Sequence, residues 1–105
     1  MPGTTRREQL QAMLQDDPND AFLRYGLAME YLSEGNTQEA VRQFQGMIAD
    51  KLEYVPAYQL LGQTLQRLDR IDEARTAFQQ GIALARRVGN THAADEMAGF
   101  LDTLG

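Results

Sequence analysis

The sequence predicts an all-helical fold, and three observations support this class. Apolar residues recur at the spacing of one helix face, as at Leu10, Met13 and Leu14. No stretch alternates apolar and polar residues, as a half-buried strand would. Turn-forming residues such as Pro18 and Gly35 separate the helical stretches, and the short connections favour antiparallel neighbours.

Each predicted helix begins or ends at a recognisable signal. The first ends before Pro18, and Asn19 or Asp20 can cap the second. Thr37 is expected to cap the third helix, and Pro56 suits the first turn of the fourth. The predicted helices span residues 6–15, 20–33, 38–50, 56–68, 72–88 and 92–103.

A repeat of thirty-four residues organises the middle of the chain. A fixed period of this length indicates stacked supersecondary units, which build binding surfaces more often than catalytic centres. The identical pairs are Leu27 and Leu61, Glu39 and Glu73, Ala40 and Ala74, Phe44 and Phe78, Gln45 and Gln79, Ile48 and Ile82, and Ala49 and Ala83.

The repeated positions have a packing logic of small and large residues. A small residue lets two helix backbones approach closely, and an aromatic residue fills the space beside it. The small residues include Ala40 and Gly62, and the aromatic ones are Phe44 and Phe78. Glycine inside a helix costs about 0.5–1 kcal/mol relative to alanine, so Gly62 needs such a packing reason.

The pattern resembles the tetratricopeptide repeat, a helix–turn–helix unit of this length. Its first-helix pattern of a large residue, leucine-glycine and tyrosine appears as Tyr58, Leu61-Gly62 and Leu65. The resemblance implies a right-handed superhelical stack of antiparallel helix pairs in a single domain. Its expected parts are a half-repeat helix at 6–15, repeats at 21–54 and 55–88, and a capping helix at 91–104.

Some positions depart from the family pattern. Arg24 replaces the expected large apolar residue, Leu65 replaces tyrosine, Asp69 replaces the usual turn glycine, and the unit-ending proline is absent near Leu52 and Arg86. Solenoids generally need about three units for stability, so the flanking helices are expected to cover the apolar ends. Alternatively, the chain is a fragment of a longer array or pairs with a second copy.

Composition excludes several classes of function. The chain has 105 residues and no cysteine, so thiol catalysis, disulfides and cysteine-based metal sites are excluded. The net charge of −5 and the lack of a basic run argue against nucleic-acid binding. No apolar run approaches the roughly 20 residues of a membrane span, and we expect a cytoplasmic protein. His92 is the only histidine and has no second His or any Cys as a partner, so we expect no metal site. The sequence shows no glycine-rich phosphate loop and no convergent polar pocket, so we expect no cofactor and no enzymatic activity.

The resemblance also implies where a ligand would bind, because the first helix of each unit lines a concave surface in this family. Phe22 and Leu32 fit packing against the preceding helix equally well. We expect Met13, Met47 and Met97 in the core, and Met29 off the packing face. The candidate groove residues are Phe22, Tyr25, Met29, Gln59, Gln63, Gln66 and Arg67.

These residues predict a protein interaction or scaffold module that binds a peptide or protein segment in a concave groove. The groove lacks the paired lysines and asparagines with which family members clamp acidic C-terminal tails, so such tails are not expected. We expect a monomer or a weak homodimer. The alternative is a structural element for dimerisation or assembly, without its own peptide ligand.

Overall fold

A computed structural model describes residues 5–104, and every regular element within that range is an α-helix. The predicted all-helical class is confirmed, and each predicted helix boundary lies within one residue of the observed one. The helices are α1 (Arg6–Asp16), α2 (Ala21–Ser33), α3 (Thr37–Ala49), α4 (Val55–Arg67), α5 (Ile71–Arg87) and α6 (Thr91–Thr103).

Side-chain caps explain several of these boundaries. Thr5 and Glu8 form a reciprocal capping box at the start of α1, and the Asp20 carboxylate accepts from the Leu23 N–H at 3.0 Å. The prediction that Thr37 caps α3 is wrong. Asn36 is the cap, and Thr37 is already the first helical residue.

The described residues form two compact units, with unit 1 ending at Leu52 and unit 2 beginning at Glu53. In unit 1, α2 packs against both α1 and α3. In unit 2, α5 packs against both α4 and α6, and α4 also contacts α6.

Unit 1 has a core of apolar side chains from all three of its helices. Leu10, Ala28 and Phe44 are buried, and Met47 is fully buried as expected. Met13 was also expected in the core, but 44% of it is exposed. Helical periodicity places Met13 on an apolar stripe of α1, yet the periodicity does not say how far a neighbouring helix covers that stripe.

Arg24 shows how unit 1 accommodates a polar residue where the repeat pattern has a large apolar one. Its side chain is only 15% exposed, and its Nη1 lies 2.7 Å from a carboxylate oxygen of Asp50, just after α3. Its Nη2 lies 3.1 Å from where a Cβ would stand at Gly46. The long side chain therefore fills the packing position while its charge remains paired.

Unit 2 is packed around two glycines. A Cβ at Gly62 would lie 2.5 Å from Cε1 of Phe78, closer than carbon atoms approach one another. A Cβ at Gly81 would lie 2.7 Å from the Tyr58 Cβ and 2.6 Å from the Met97 sulfur. Both glycines therefore permit close helix contacts that any other residue would push apart.

Two turns hold a non-glycine residue in the left-handed region. Asp69 has φ of 59°, as expected from its place in the turn between α4 and α5, and Lys51 has φ of 60°. The turns at Gly35 and Gly89 have φ of 80° and 79°. A side chain in this region costs free energy that glycine avoids.

Substitution of Gly62 tests the helix contact in unit 2. Gly62→Ala should lower the free energy of unfolding by about 1–3 kcal/mol because the new methyl group overlaps the Phe78 ring. Gly99→Ala is the matched control, since a Cβ there meets nothing within 4 Å. At that exposed helical position, alanine should raise the free energy of unfolding by about 0.5–1 kcal/mol. Urea denaturation measures both, and effects of the same sign would contradict the packing account.

The two left-handed residues give a second stability prediction. Asp69→Gly and Lys51→Gly should each raise the free energy of unfolding by about 0.5–1 kcal/mol, because glycine removes the strain at positive φ. Gly35→Ala should act in the opposite direction, with a loss of about 1 kcal/mol or more. Thermal denaturation of the three variants gives the comparison, and a destabilised Asp69→Gly variant would refute the strain.

Candidate functional site

Unit 2 contains a cavity of about 390 Å³ between residues of α4 and α6. Four of its lining residues come from α4, at positions 60, 63, 66 and 67, so they lie along one side of that helix. The volume lies at the lower end of the roughly 300–1,000 Å³ typical of ligand sites, which suits one or two side chains. The lining residues are Leu60, Gln63, Gln66, Arg67 and Phe100.

The apolar part of the lining comes from Leu60 and Phe100. The Phe100 ring stacks on the ring of Phe78, with centroids 5.6 Å apart and planes 21° apart. Phe78 is itself fully buried, and it lies against Gly62. The position of the aromatic wall therefore depends on the same close contact that packs α4 and α5.

The buried polar side chain of Thr64 on α4 has a hydrogen-bond partner within the same helix. The Thr64 side chain is fully buried on α4, and its hydroxyl donates to the carbonyl oxygen of Leu60 at 2.7 Å. A buried hydroxyl without such a partner would cost free energy. This bond lets α4 bury a polar residue next to the cavity.

The polar part of the lining comes from two amides and one guanidinium. Gln63 and Gln66 are half-buried, and Arg67 is exposed. Within residues 5–104, none of these three side chains forms a hydrogen bond or an ion pair with another residue. A glutamine amide both donates and accepts, and a guanidinium only donates, so all these groups are available to a ligand.

Unit 1 has a separate exposed apolar surface on α2. Phe22 is 69% exposed and Met29 is 42% exposed. Two helical turns separate these residues, which places them on one face of α2. Tyr25 behaves differently, because it is half-buried and its ring centroid lies 6.0 Å from that of Phe44. Tyr25 therefore contributes to the packing of unit 1 as well as to its surface.

The structure brings together some of the candidate residues and adds two others. Gln63, Gln66 and Arg67 line the unit 2 cavity, whereas Gln59 is half-buried and is not among its lining residues. Leu60 and Phe100 were not among the candidates. Leu60 had a sequence signal, since it precedes Gln63 by one helical turn on α4.

Phe100 was harder to find because the thirty-four-residue period does not reach α6. The first residues of α2 and α4, Ala21 and Val55, are thirty-four residues apart, whereas α6 begins at Thr91, thirty-six residues after Val55. Helix α5 has 17 residues against 13 in α3, and the following connection is shorter. With this offset, Met97 of α6 aligns with Leu61 of α4.

His92 and the carboxylates of the described range lie outside the lining of the cavity. Within residues 5–104, no group of three His, Asp or Glu side chains is arranged to hold a metal ion. His92 lies exposed, with its Nε2 2.9 Å from a carboxylate oxygen of Glu96 one helical turn on. In the same part of the chain no helix combines the length and the hydropathy needed to span a bilayer.

Comparisons with known sequences agree on one family. The sequence model of the tetratricopeptide repeat matches residues 31–94, which is more than half of the chain. A TPR repeat-containing protein of Pseudomonas aeruginosa is 34% identical over 97 residues, and the match covers 92% of each chain.

Solved structures show the same architecture. A tetratricopeptide repeat domain protein from Salinibacter ruber matches with a TM-score of 0.78 and 35% identity, over 84% of this chain and 89% of its own. A protein from Bordetella parapertussis matches with a TM-score of 0.78 and 28% identity, over 95% and 87% of the two chains. PcrH, crystallised with the chaperone binding region of PopD, has a TM-score of 0.83 at 19% identity, over 93% and 74%, and at this identity shows the fold alone.

Proposed function

The chain belongs to the tetratricopeptide repeat family, and we propose that it binds a peptide segment of a partner protein without catalysing a reaction. The family and fold support a general role in protein interaction. The observation that carries the finer proposal is the convergence of apolar, amide and guanidinium groups on the unit 2 cavity.

The chemistry of this cavity suits a peptide. Leu60 and Phe100 offer apolar contact to a ligand side chain, and the ring of Phe100 is held in place by Phe78. Gln63 and Gln66 can donate to and accept from a peptide backbone whatever its sequence. The PcrH complex with the chaperone binding region of PopD supports the proposal by analogy, since there the same fold binds a segment of another protein.

The size of the cavity sets the expected strength of binding. It accommodates one or two ligand side chains, so few groups are desolvated on binding. A ligand also loses translational and conformational freedom when it binds. We therefore expect a dissociation constant in the micromolar range, which corresponds to a binding free energy on the order of −8 kcal/mol.

A second candidate function is self-assembly through unit 1. Phe22 and Met29 are exposed on one face of α2, and a contiguous exposed apolar patch can mark an interaction surface. Sedimentation velocity over a range of concentrations tests this function. A dimer that dissociates when Phe22→Ser and Met29→Ser are introduced would favour assembly, whereas a monomer at all concentrations would exclude it.

Peptide selection tests the proposed function directly. A displayed library of random linear peptides should yield ligands for the purified chain, and Gln63→Glu should lower their affinity about tenfold, or 1.4 kcal/mol, by replacing an amide donor with a carboxylate. Gln80→Glu is the matched control, since Gln80 is exposed on α5 and does not line the cavity. Isothermal titration measures the affinities, and thermal melting verifies that both variants are folded.

Two results would contradict the proposal. One is a library that yields no ligand for the folded chain. The other is a set of ligands whose affinity Gln63→Glu and Gln80→Glu lower equally, because binding would then lie outside the cavity.

A further inference from the structure

Arg67 gives the cavity a positive charge that favours a negatively charged group on the ligand. Within the described range 5–104, it is the only charged side chain that lines the cavity, and no carboxylate stands beside it in the lining. We infer that the cavity selects peptides in which an internal aspartate or glutamate lies close to an apolar residue. This inference rests on the proposed function, and it adds the class of peptide that the site prefers.

Three of the other four arginines of unit 2 are paired with carboxylates, and the fourth, Arg86, is exposed and does not line the cavity. The Arg70 Nε lies 2.6 Å from Glu73, the Arg75 Nη1 lies 2.9 Å from Asp72, and the Arg87 Nη2 lies 3.1 Å from Glu53. These three guanidiniums are therefore engaged within the unit.

Arg67 is not engaged in this way. Its side chain forms no ion pair or hydrogen bond with any residue of the range 5–104. A guanidinium presents its donors in a planar fork that matches the two oxygens of a carboxylate. The charge that best complements the lining is therefore a carboxylate supplied by the ligand.

The spacing along α4 sets the distance between the acidic and the apolar residue of the ligand. Leu60 and Arg67 are seven residues apart on one helix face, so their Cα atoms are separated by about 10 Å along the axis. An extended peptide covers that distance in about three residues. The ligand should therefore carry its acidic residue within about three positions of its apolar residue.

The lining suits an internal acidic residue better than the peptide's C-terminal carboxylate. Gln63 and Gln66 lie between Leu60 and Arg67 along α4 and offer partners for a backbone that runs past both. Arg67 is a single cation, without a second one in the lining to share a terminal carboxylate. A peptide that continues past Arg67 can contact Gln63, Gln66 and Arg67 at the same time.

A purely structural role for Arg67 makes a different prediction. Arg67 is the last residue of α4, where a cation interacts favourably with the helix dipole. If that were its whole role, Arg67→Gln would lower the melting temperature and leave peptide affinity unchanged. The two roles are therefore separable by measuring both quantities.

Reversing the charge at position 67 tests the inference. Parallel selections from the displayed library should enrich aspartate and glutamate with the unaltered chain, and lysine and arginine with the Arg67→Glu variant. Arg86→Glu is the matched control, because Arg86 is exposed on α5, forms no ion pair within residues 5–104 and does not line the cavity. A salt titration is less decisive, since the net charge of −5 repels acidic peptides while Arg67 attracts them.

Titration of one selected acidic peptide then measures the interaction between Arg67 and the acidic residue of the peptide. Arg67→Gln and replacement of the peptide's acidic residue by its amide should each lower affinity about two- to fivefold, and the two losses should not add. Arg86→Gln should leave affinity unchanged. The same peptide made with an amidated C-terminus should bind equally well.

The outcomes separate this inference from the proposed function. Selected peptides that lack acidic residues, yet lose affinity on Gln63→Glu, would overturn the inference and leave peptide binding intact. Loss of binding on amidation of the C-terminus would overturn the preference for an internal residue. Failure to select any peptide would overturn both.

Discussion

The packing of unit 2 depends on the close approach of the Phe78 ring to Gly62. The ring occupies the space where any other residue would place its Cβ, so it fixes the separation of α4 and α5. The same ring stacks on Phe100 and thereby sets one wall of the cavity. A packing requirement within the repeat is thus also the requirement that shapes the candidate binding site.

Unit 1 uses the same repeated positions with different partners. Ala28 and Phe44 are fully buried where unit 2 has Gly62 and Phe78, and Tyr25 packs its ring near that of Phe44. Arg24 fills a packing position and keeps its charge paired with a carboxylate. Both units are thus built on repeated small and aromatic residues, while the residues that differ between them give each unit its own surface.

Local signals predicted most of the fold but only part of the candidate site. Helix ends follow from proline, glycine and capping residues, which act over a few positions and can be found in a sequence. The exposure of Met13 and the cavity position of Phe100 depend on how completely a neighbouring helix covers a face. Periodicity carries no such information, and the longer α5 also shifts α6 out of the thirty-four-residue register.

We propose that the packing contact between Phe78 and Gly62 also positions a peptide-binding cavity. Nuclear magnetic resonance of the isotopically labelled chain, titrated with a selected peptide, tests it most directly. We expect the largest chemical-shift changes at the side-chain amides of Gln63 and Gln66 and at the ring of Phe100. Changes confined to the exposed face of α5 around Gln80, or to Phe22 and Met29 of unit 1, would contradict it.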